Sequence, residues 1–310
     1  MIPTVTVGEV PAKSIPTEGS THAYPGSTAR SLAAFCTEAE RVGADALWAC
    51  DHLFWPHPIV ECLSALAIAA SATTELTLGS CILQLPLRDP VTVAKQAATL
   101  QHLADGRFVL GLGVGSHPGE YAAAGADFTG RGRRMDDALA ALSRAWEDDP
   151  DAPYQLAPAP HVPLWFGGSA PAVLRRAGAL GEGWVPLFIS LEDYRVGLDR
   201  LDAASVAAGR APEDIVRAVV VFAHVGTAEA AFAEGSEWLS SLYRLPPRAF
   251  ARHLISGPAD DCAEAIDAFC RAGAQHVVVM VAADDPLEHF SALRAALGTG
   301  ASRPTMEVSA

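Results

Sequence analysis

Apolar runs recur along this chain, each followed by a stretch whose apolar positions fall at helical spacing, and the alternation predicts repeated strand–helix units. Eight runs read as strands: 4–7, 46–50, 76–83, 108–112, 164–166, 184–188, 216–224 and 275–281. Helices are predicted over 29–41, 59–72, 90–103, 135–146, 169–179, 192–208 and 286–297, with Pro90 in the first turn behind Asp89. Right-handed crossovers put every helix outside a parallel sheet, so eight such units give the α/β architecture of a TIM (β/α)8 barrel. A Pro-, Gly-, Ser- and Thr-rich loop is expected from the first strand to about Thr28.

Two stretches break the alternation. Residues 115–136, with Gly119, Gly125, Gly130 and Gly132, are too long for a tight connection, and 228–259 hold at least one extra helix. Both read as insertions in a single barrel domain over 1–310. One is expected to cover the active site and the other to pack a partner subunit, which makes a homodimer the expected assembly.

Composition narrows the function. Half of the 310 residues are apolar, enough for one large core. A net charge of -14 argues against nucleic acid and against an anionic membrane surface. The most apolar stretch, 62–70, is too short to span a bilayer. The six cysteines form no CxxC, so reduced thiols and a cytoplasmic location are expected. Residues 1–20 carry Pro3, Pro11 and Pro16 and no unbroken apolar core, so no signal peptide is expected.

In a parallel barrel the loops after the strands converge on one face, and that is where this chain places its polar and glycine-rich residues. Asp51-His52 ends the second strand ahead of an aromatic loop. An imidazole titrates near neutrality and transfers protons, and the neighbouring Asp51 is expected to orient it; the plainer reading is a capping carboxylate beside a hydrogen-bonded histidine. Gly111-Leu112-Gly113-Val114-Gly115-Ser116 lacks the dinucleotide spacing, and its glycines are expected to admit a planar ligand close to the backbone. Gly167-Gly168-Ser169 opens a helix, so its N–H groups suit a phosphate, with Ser169 as helix cap and Pro171 in the first turn. Arg131, Arg133 and Arg134, with Arg175 and Arg176, would offset the acidic field for an anionic ligand. The histidines give no convincing metal-ligand set, and no Gly-x-Ser-x-Gly occurs.

Taken in order, 44–52, Leu78-Gly79-Ser80-Cys81-Ile82, Arg88-Asp89-Pro90, 95–100, Gly106-Arg107-Phe108, 111–115, Trp165-Phe166-Gly167-Gly168 and Gly183-Trp184 resemble the bacterial luciferase-like superfamily, and within it the branch using the deazaflavin coenzyme F420. The resemblance covers about 29–185. It implies a barrel with an insertion region, and an F420-dependent oxidoreductase moving a hydride between the deazaflavin and a small organic substrate, including reduction of a C=C or C=N bond. It also implies His52 near the reactive ring, a non-proline cis peptide at Cys81-Ile82, and Ile82 pressing on the ring. The cofactor site would then comprise Gly79, Ser80, Cys81, Ile82, Gly113, Gly115, Ser116, Gly167, Gly168 and Ser169, with His52 and Asp51 catalytic and no metal. An FMN-dependent monooxygenase and a non-catalytic flavin-binding relative are the alternatives. Residues 53–58, 116–133 and 228–258 would choose the substrate, and Glu120 is the next candidate acid should His52 serve only as a pocket wall.

Overall fold

A computed structural model describes residues 4–8, 28–56, 59–147, 156 and 160–298. The predicted early loop, 9–27, lies outside the described residues, as does His57. In chain order the elements are β1 Thr4–Gly8, α1 Ala29–Arg41, β2 Ala46–Ala49, α2 Cys62–Ala72, β3 Thr77–Ser80, β4 Leu83–Gln84, α3 Pro90–Leu103, β5 Phe108–Gly113, α4 Pro118–Ala123 and α5 Arg131–Trp146. They continue with β6 Leu164–Phe166, α6 Pro171–Leu180, β7 Gly183–Trp184, α7 Leu191–Ala207, β8 Val216–Val225, α8 Ala231–Tyr243, β9 Leu254–Gly257, α9 Ala259–Arg271, β10 His276–Val281 and α10 Pro286–Ala296.

All strand pairings are parallel, and they close a ring: β1 pairs β2, β2 pairs β3, and β5 follows, then β6, β7, β8 and β10, which returns to β1. The third stave is split, β3 pairing the start of β5 and β4 its end. The long β8 holds β7 against its first residues and β9 against its last, both on the edge away from β10. The fold is therefore the expected luciferase-like TIM barrel, with an additional strand spliced beside β7.

Local sequence explains the elements. β5 and β10 are buried along their whole length, as strands covered on both faces require. Thr28 and Ser31 form a reciprocal cap on α1, and the Asp89 side chain caps α3 ahead of Pro90. Period-two alternation divides the strand residues into two cores. Leu47, Leu78, Leu110, Val219, Val221, Val277 and Val279 belong to the larger cluster, with the helices; Ala46, Trp48, Val109, Trp165, Val220, Phe222, Val278 and Met280 make the second, inner one.

Two indoles dominate the inner cluster. Trp48 and Trp165 lie 5.0 Å apart, and a Cβ on their register partners Gly79 and Gly183 would overlap their rings. The Trp48 Nε1–H donates to Nε2 of buried His276 at 3.2 Å, and burial pushes that imidazole down to about 3. None of the six cysteines is in a disulfide.

Candidate active site

At the end of β2 the chain delivers Asp51 and then His52, and adjacent residues leaving a strand project to opposite sides. The buried Asp51 carboxylate turns toward β4. Its Oδ2 accepts from the Gln84 N–H at 2.9 Å, and its Oδ1 accepts from Arg88 Nη2 at 2.7 Å. The same Arg88 nitrogen reaches Glu61 Oε1 at 3.1 Å. Burial works against the Arg88 charge, but Asp51 and Glu61 outweigh it and raise the guanidinium above its ordinary value. The expectation that Asp51 orients His52 is thus corrected: its carboxylate fastens the loop to β4.

The carboxylate that meets His52 comes from the insertion after β5. Glu120, on α4 and without solvent exposure, places Oε2 3.0 Å from His52 Nδ1. Its Oε1 accepts from the backbone N–H groups of Leu53 and of Phe54, the latter at 3.3 Å. Burial would push this carboxyl up. The hydrogen bond and charge of His52, with the Phe54 N–H and Gln84, outweigh burial and hold it below the usual carboxylate value. A carboxylate on Nδ1 fixes the tautomer with the hydrogen there and leaves Nε2 for a ligand. Trp55 stacks on the imidazole, centroids 4.0 Å apart and planes at 23°.

Between β3 and β4 the Cys81-Ile82 peptide is cis, at the position the family resemblance implied. The half-buried Ile82 side chain occupies the space that two glycines leave open. A Cβ on Gly113 would lie 2.6 Å from its Cδ1, and one on Gly167 would overlap its Cγ2. With Gly79 facing Trp48 and Gly115 facing Gln84, four of the expected cofactor glycines make room for the protein's own side chains. Ser80 is buried and donates to the Gly111 carbonyl at 2.9 Å. Gly115, at φ +70°, faces Gln84, while Ser116 is exposed.

On the far side of the mouth Gly168 takes φ +110°, its carbonyl accepting from Trp184 Nε1 at 2.7 Å. Ser169 is exposed, but it does not cap α6. The cap is Ala170, with no side-chain bond, because Pro171 sets the first helical position one residue later than expected. Arg176, beside this helix start, is bonded to Asp136 at 2.6 Å and to the Gly132 carbonyl at 2.9 Å, joining α6 to α5. Arg131 lies over the Phe128 ring at 3.9 Å, and Arg133, Arg134 and Arg175 are exposed.

The third side of the mouth is aromatic and was anticipated only in part. Tyr243, at the end of α8, meets Trp55 edge-on at 5.5 Å and Phe188 at 5.3 Å, and Phe188 meets Phe222 at 4.9 Å. Behind Phe188 a cavity of about 290 Å³ opens between β8, β9 and α9, lined among others by Val220, Phe222, His253, Leu254 and Phe269. The sequence had marked part of this side, the aromatic loop after Asp51-His52 that carries Trp55.

Among the described residues no group of three or more His, Cys, Asp or Glu side chains could hold a metal ion, and no helix is long and apolar enough to cross a membrane.

Known proteins resemble this chain in sequence and in fold. A phthiodiolone/phenolphthiodiolone dimycocerosates ketoreductase of Mycobacterium kansasii is 28% identical over 276 residues, 76% of this chain and 74% of that one. An F420-dependent secondary alcohol dehydrogenase, solved with an F420-acetone adduct, superposes with a TM-score of 0.79 at 18% identity, covering 96% of this chain and 99% of the other. The FMN-bound oxygenating component of 3,6-diketocamphane monooxygenase from Pseudomonas putida gives 0.69 at 17% identity, covering 94% and 95%. The model of the luciferase-like monooxygenase family matches residues 13–242, and this chain belongs to that family.

Proposed function

We propose that the protein is an F420-dependent oxidoreductase that interconverts a ketone and a secondary alcohol. The observation that carries this reading is the His52–Glu120 pair: an imidazole at a strand end, its Nδ1 held by a buried carboxylate and its face stacked on Trp55. The names of the ketoreductase and the alcohol dehydrogenase support the same chemistry.

The residues present suit a flat, anionic cofactor. Ile82, seated over Gly113 and Gly167, offers an apolar shelf where β4 begins. Gly168, in a conformation that side chains disfavour, opens the turn into α6, and Ser169 and Ala170 donate no backbone hydrogen bond within the chain among the described residues. The shelf would hold the ring, and the turn the phosphate end. When bound in its reduced form, the deazaflavin supplies a hydride to the carbonyl carbon.

The chain's own part is the proton. Protonated His52 would donate from Nε2 to the carbonyl oxygen as its negative charge develops, ending neutral with the hydrogen on Nδ1. Glu120, with its carboxylate on Nδ1, holds the ring in place throughout. In the oxidative direction Nε2 accepts the alcohol proton. Trp55, Tyr243 and Phe188 would exclude water and take the apolar part of the substrate.

The alternative is an FMN-dependent monooxygenase, which the family's name and the FMN-bound relative favour. Side-by-side titration with F420 and FMN tests the choice, followed by turnover of ketones with reduced F420. Binding of F420 with ketone reduction is the expected result. Tight FMN binding with oxygen uptake and no F420-dependent turnover would replace it with the monooxygenase reading.

A further inference from the structure

We propose that Gln84 is the positioning residue of the His52–Glu120 pair and that Gly115 exists as its seat. Gln84 is buried on the short β4. Its Nε2 lies 2.7 Å from the Asp51 carbonyl oxygen and 3.2 Å from Glu120 Oε2, the same oxygen that meets His52 Nδ1. A carbonyl and an ionised carboxylate only accept, so the group between them is the NH₂ end of the amide, with both hydrogens in use. Its backbone N–H goes to the Asp51 carboxylate. Two side-chain hydrogen bonds and one from the backbone therefore fix this residue between the residue before His52 and the acid behind it.

The orientation leaves Gln84 Oε1 buried without a donor. That oxygen sits where a side chain on residue 115 would be: a Cβ there would overlap Oε1, and the φ of +70° disfavours any side chain. Gly115, expected to clear space for a cofactor, instead clears space for this amide. Asp51 gains a role as well. It reaches His52 through Gln84 and Glu120, and Arg88 neutralises its charge.

A fully buried carboxylate stays ionised only when enough donors converge on it. Glu120 has four: His52, the Leu53 and Phe54 amides, and Gln84. Of these, Gln84 alone can be removed without touching His52 or its loop. The other charged groups around the acid are Asp51 closed on Arg88, Glu61 beyond Arg88, and Arg131 and Arg134 of α5, whose charge acts on the adjoining Tyr121.

The inference rests on reading His52 and Glu120 as a proton-transfer pair, but its first test needs no cofactor. In ligand-free protein, carboxyl carbon NMR follows the titration of Glu120 in wild type, Gln84→Met, Gln84→Glu and Gly115→Ala. Gln84→Met removes the donor at nearly constant size, and Gln84→Glu adds a second acid, so the Glu120 titration moves to higher pH in both, further in the second. Gly115→Ala displaces the amide and moves it the same way, which keeps the proposal testable should a Gln84 variant not fold. With reduced F420 and a ketone, Gln84→Met loses about tenfold in kcat with KM little changed, one hydrogen bond to a charged group being lost. An unmoved Glu120 titration in folded variants overturns the role of Gln84 whatever the activity. Shifted titrations in a protein whose wild type does not turn over F420 leave Gln84 in place and overturn the proposed function instead.

Discussion

The two sides of the barrel mouth are built on opposite principles. Toward β2 and β4, Asp51, His52, Gln84, Arg88 and Glu120 are joined in one hydrogen-bonded network, most of it buried. Toward β7 and β8, Phe188, Phe222, Tyr243 and Phe250 meet ring against ring. A polar network holds one atom in one place, and a change at one member is felt by the rest. An aromatic wall contributes contact area, and its losses add up piece by piece. Under the proposed function, chemistry falls to the first side and substrate affinity to the second.

The sharpest way to break that contrast is to remove the proton carrier. His52→Asn and Glu120→Gln are each expected to lower kcat by roughly 10²- to 10⁴-fold with cofactor affinity little changed, and the double variant to be no worse than the poorer single one. Additive losses in kcat would show that the two groups do not work as a unit. A second prediction probes the shelf between the two sides. Gly167→Ala overlaps the Ile82 Cγ2 methyl, displaces the shelf and is expected to weaken cofactor binding about tenfold in a titration. Equal affinity in wild type and Gly167→Ala would remove Ile82 from the cofactor site.

The barrel interior supplies an acid limit common to both sides. His276 is neutral when folded, down to about 3, whereas the unfolded chain takes up its proton near 6.5. Stability from this residue is therefore whole above pH 6.5 and falls as the pH drops toward 3, by about 1.4 kcal/mol per pH unit. Denaturant melts at pH 7 and pH 5 measure it, and His276→Gln, which still accepts from Trp48, should flatten the slope. An unchanged slope would acquit the histidine. The smallest effect is expected at the wall. Tyr243→Ala and Phe188→Ala should each raise KM several-fold, leave kcat near wild type and combine additively; a collapse of kcat in either would place the wall in the chemistry.

The strands were legible because a parallel strand buried on both faces is an uninterrupted apolar run, and β2, β5, β6, β8 and β10 fall within a residue of expectation. β7 was overestimated at 184–188 and ends at Trp184, since Pro186 has no N–H to continue the ladder and Phe188 turns to φ +54°. The 76–83 run hid the break at Cys81-Ile82, which apolar patterning does not record. Residues 115–136 hid α4, and α5 begins at Arg131 rather than 135. The same blindness misassigned the partner of His52. Asp51 is its neighbour in sequence, whereas Glu120 lies 68 residues away on a six-residue helix among glycines. The 228–259 insertion was expected to hold a helix and does, but it also yields β9, and α9 follows where no helix was assigned.

β8 is shared by three neighbours. β10 runs along one edge from Ala218 to Ala223, while β7 and then β9 occupy the other. In hydrogen–deuterium exchange β8 is therefore expected to be the slow heart of the molecule, its amides opening only with the whole barrel. Among the described residues β9 pairs with β8 alone, so Leu254–Gly257 should exchange earlier. Exchange would thus separate, on one strand's two edges, a barrel that opens only globally from an appended layer that can come loose and leave the barrel closed.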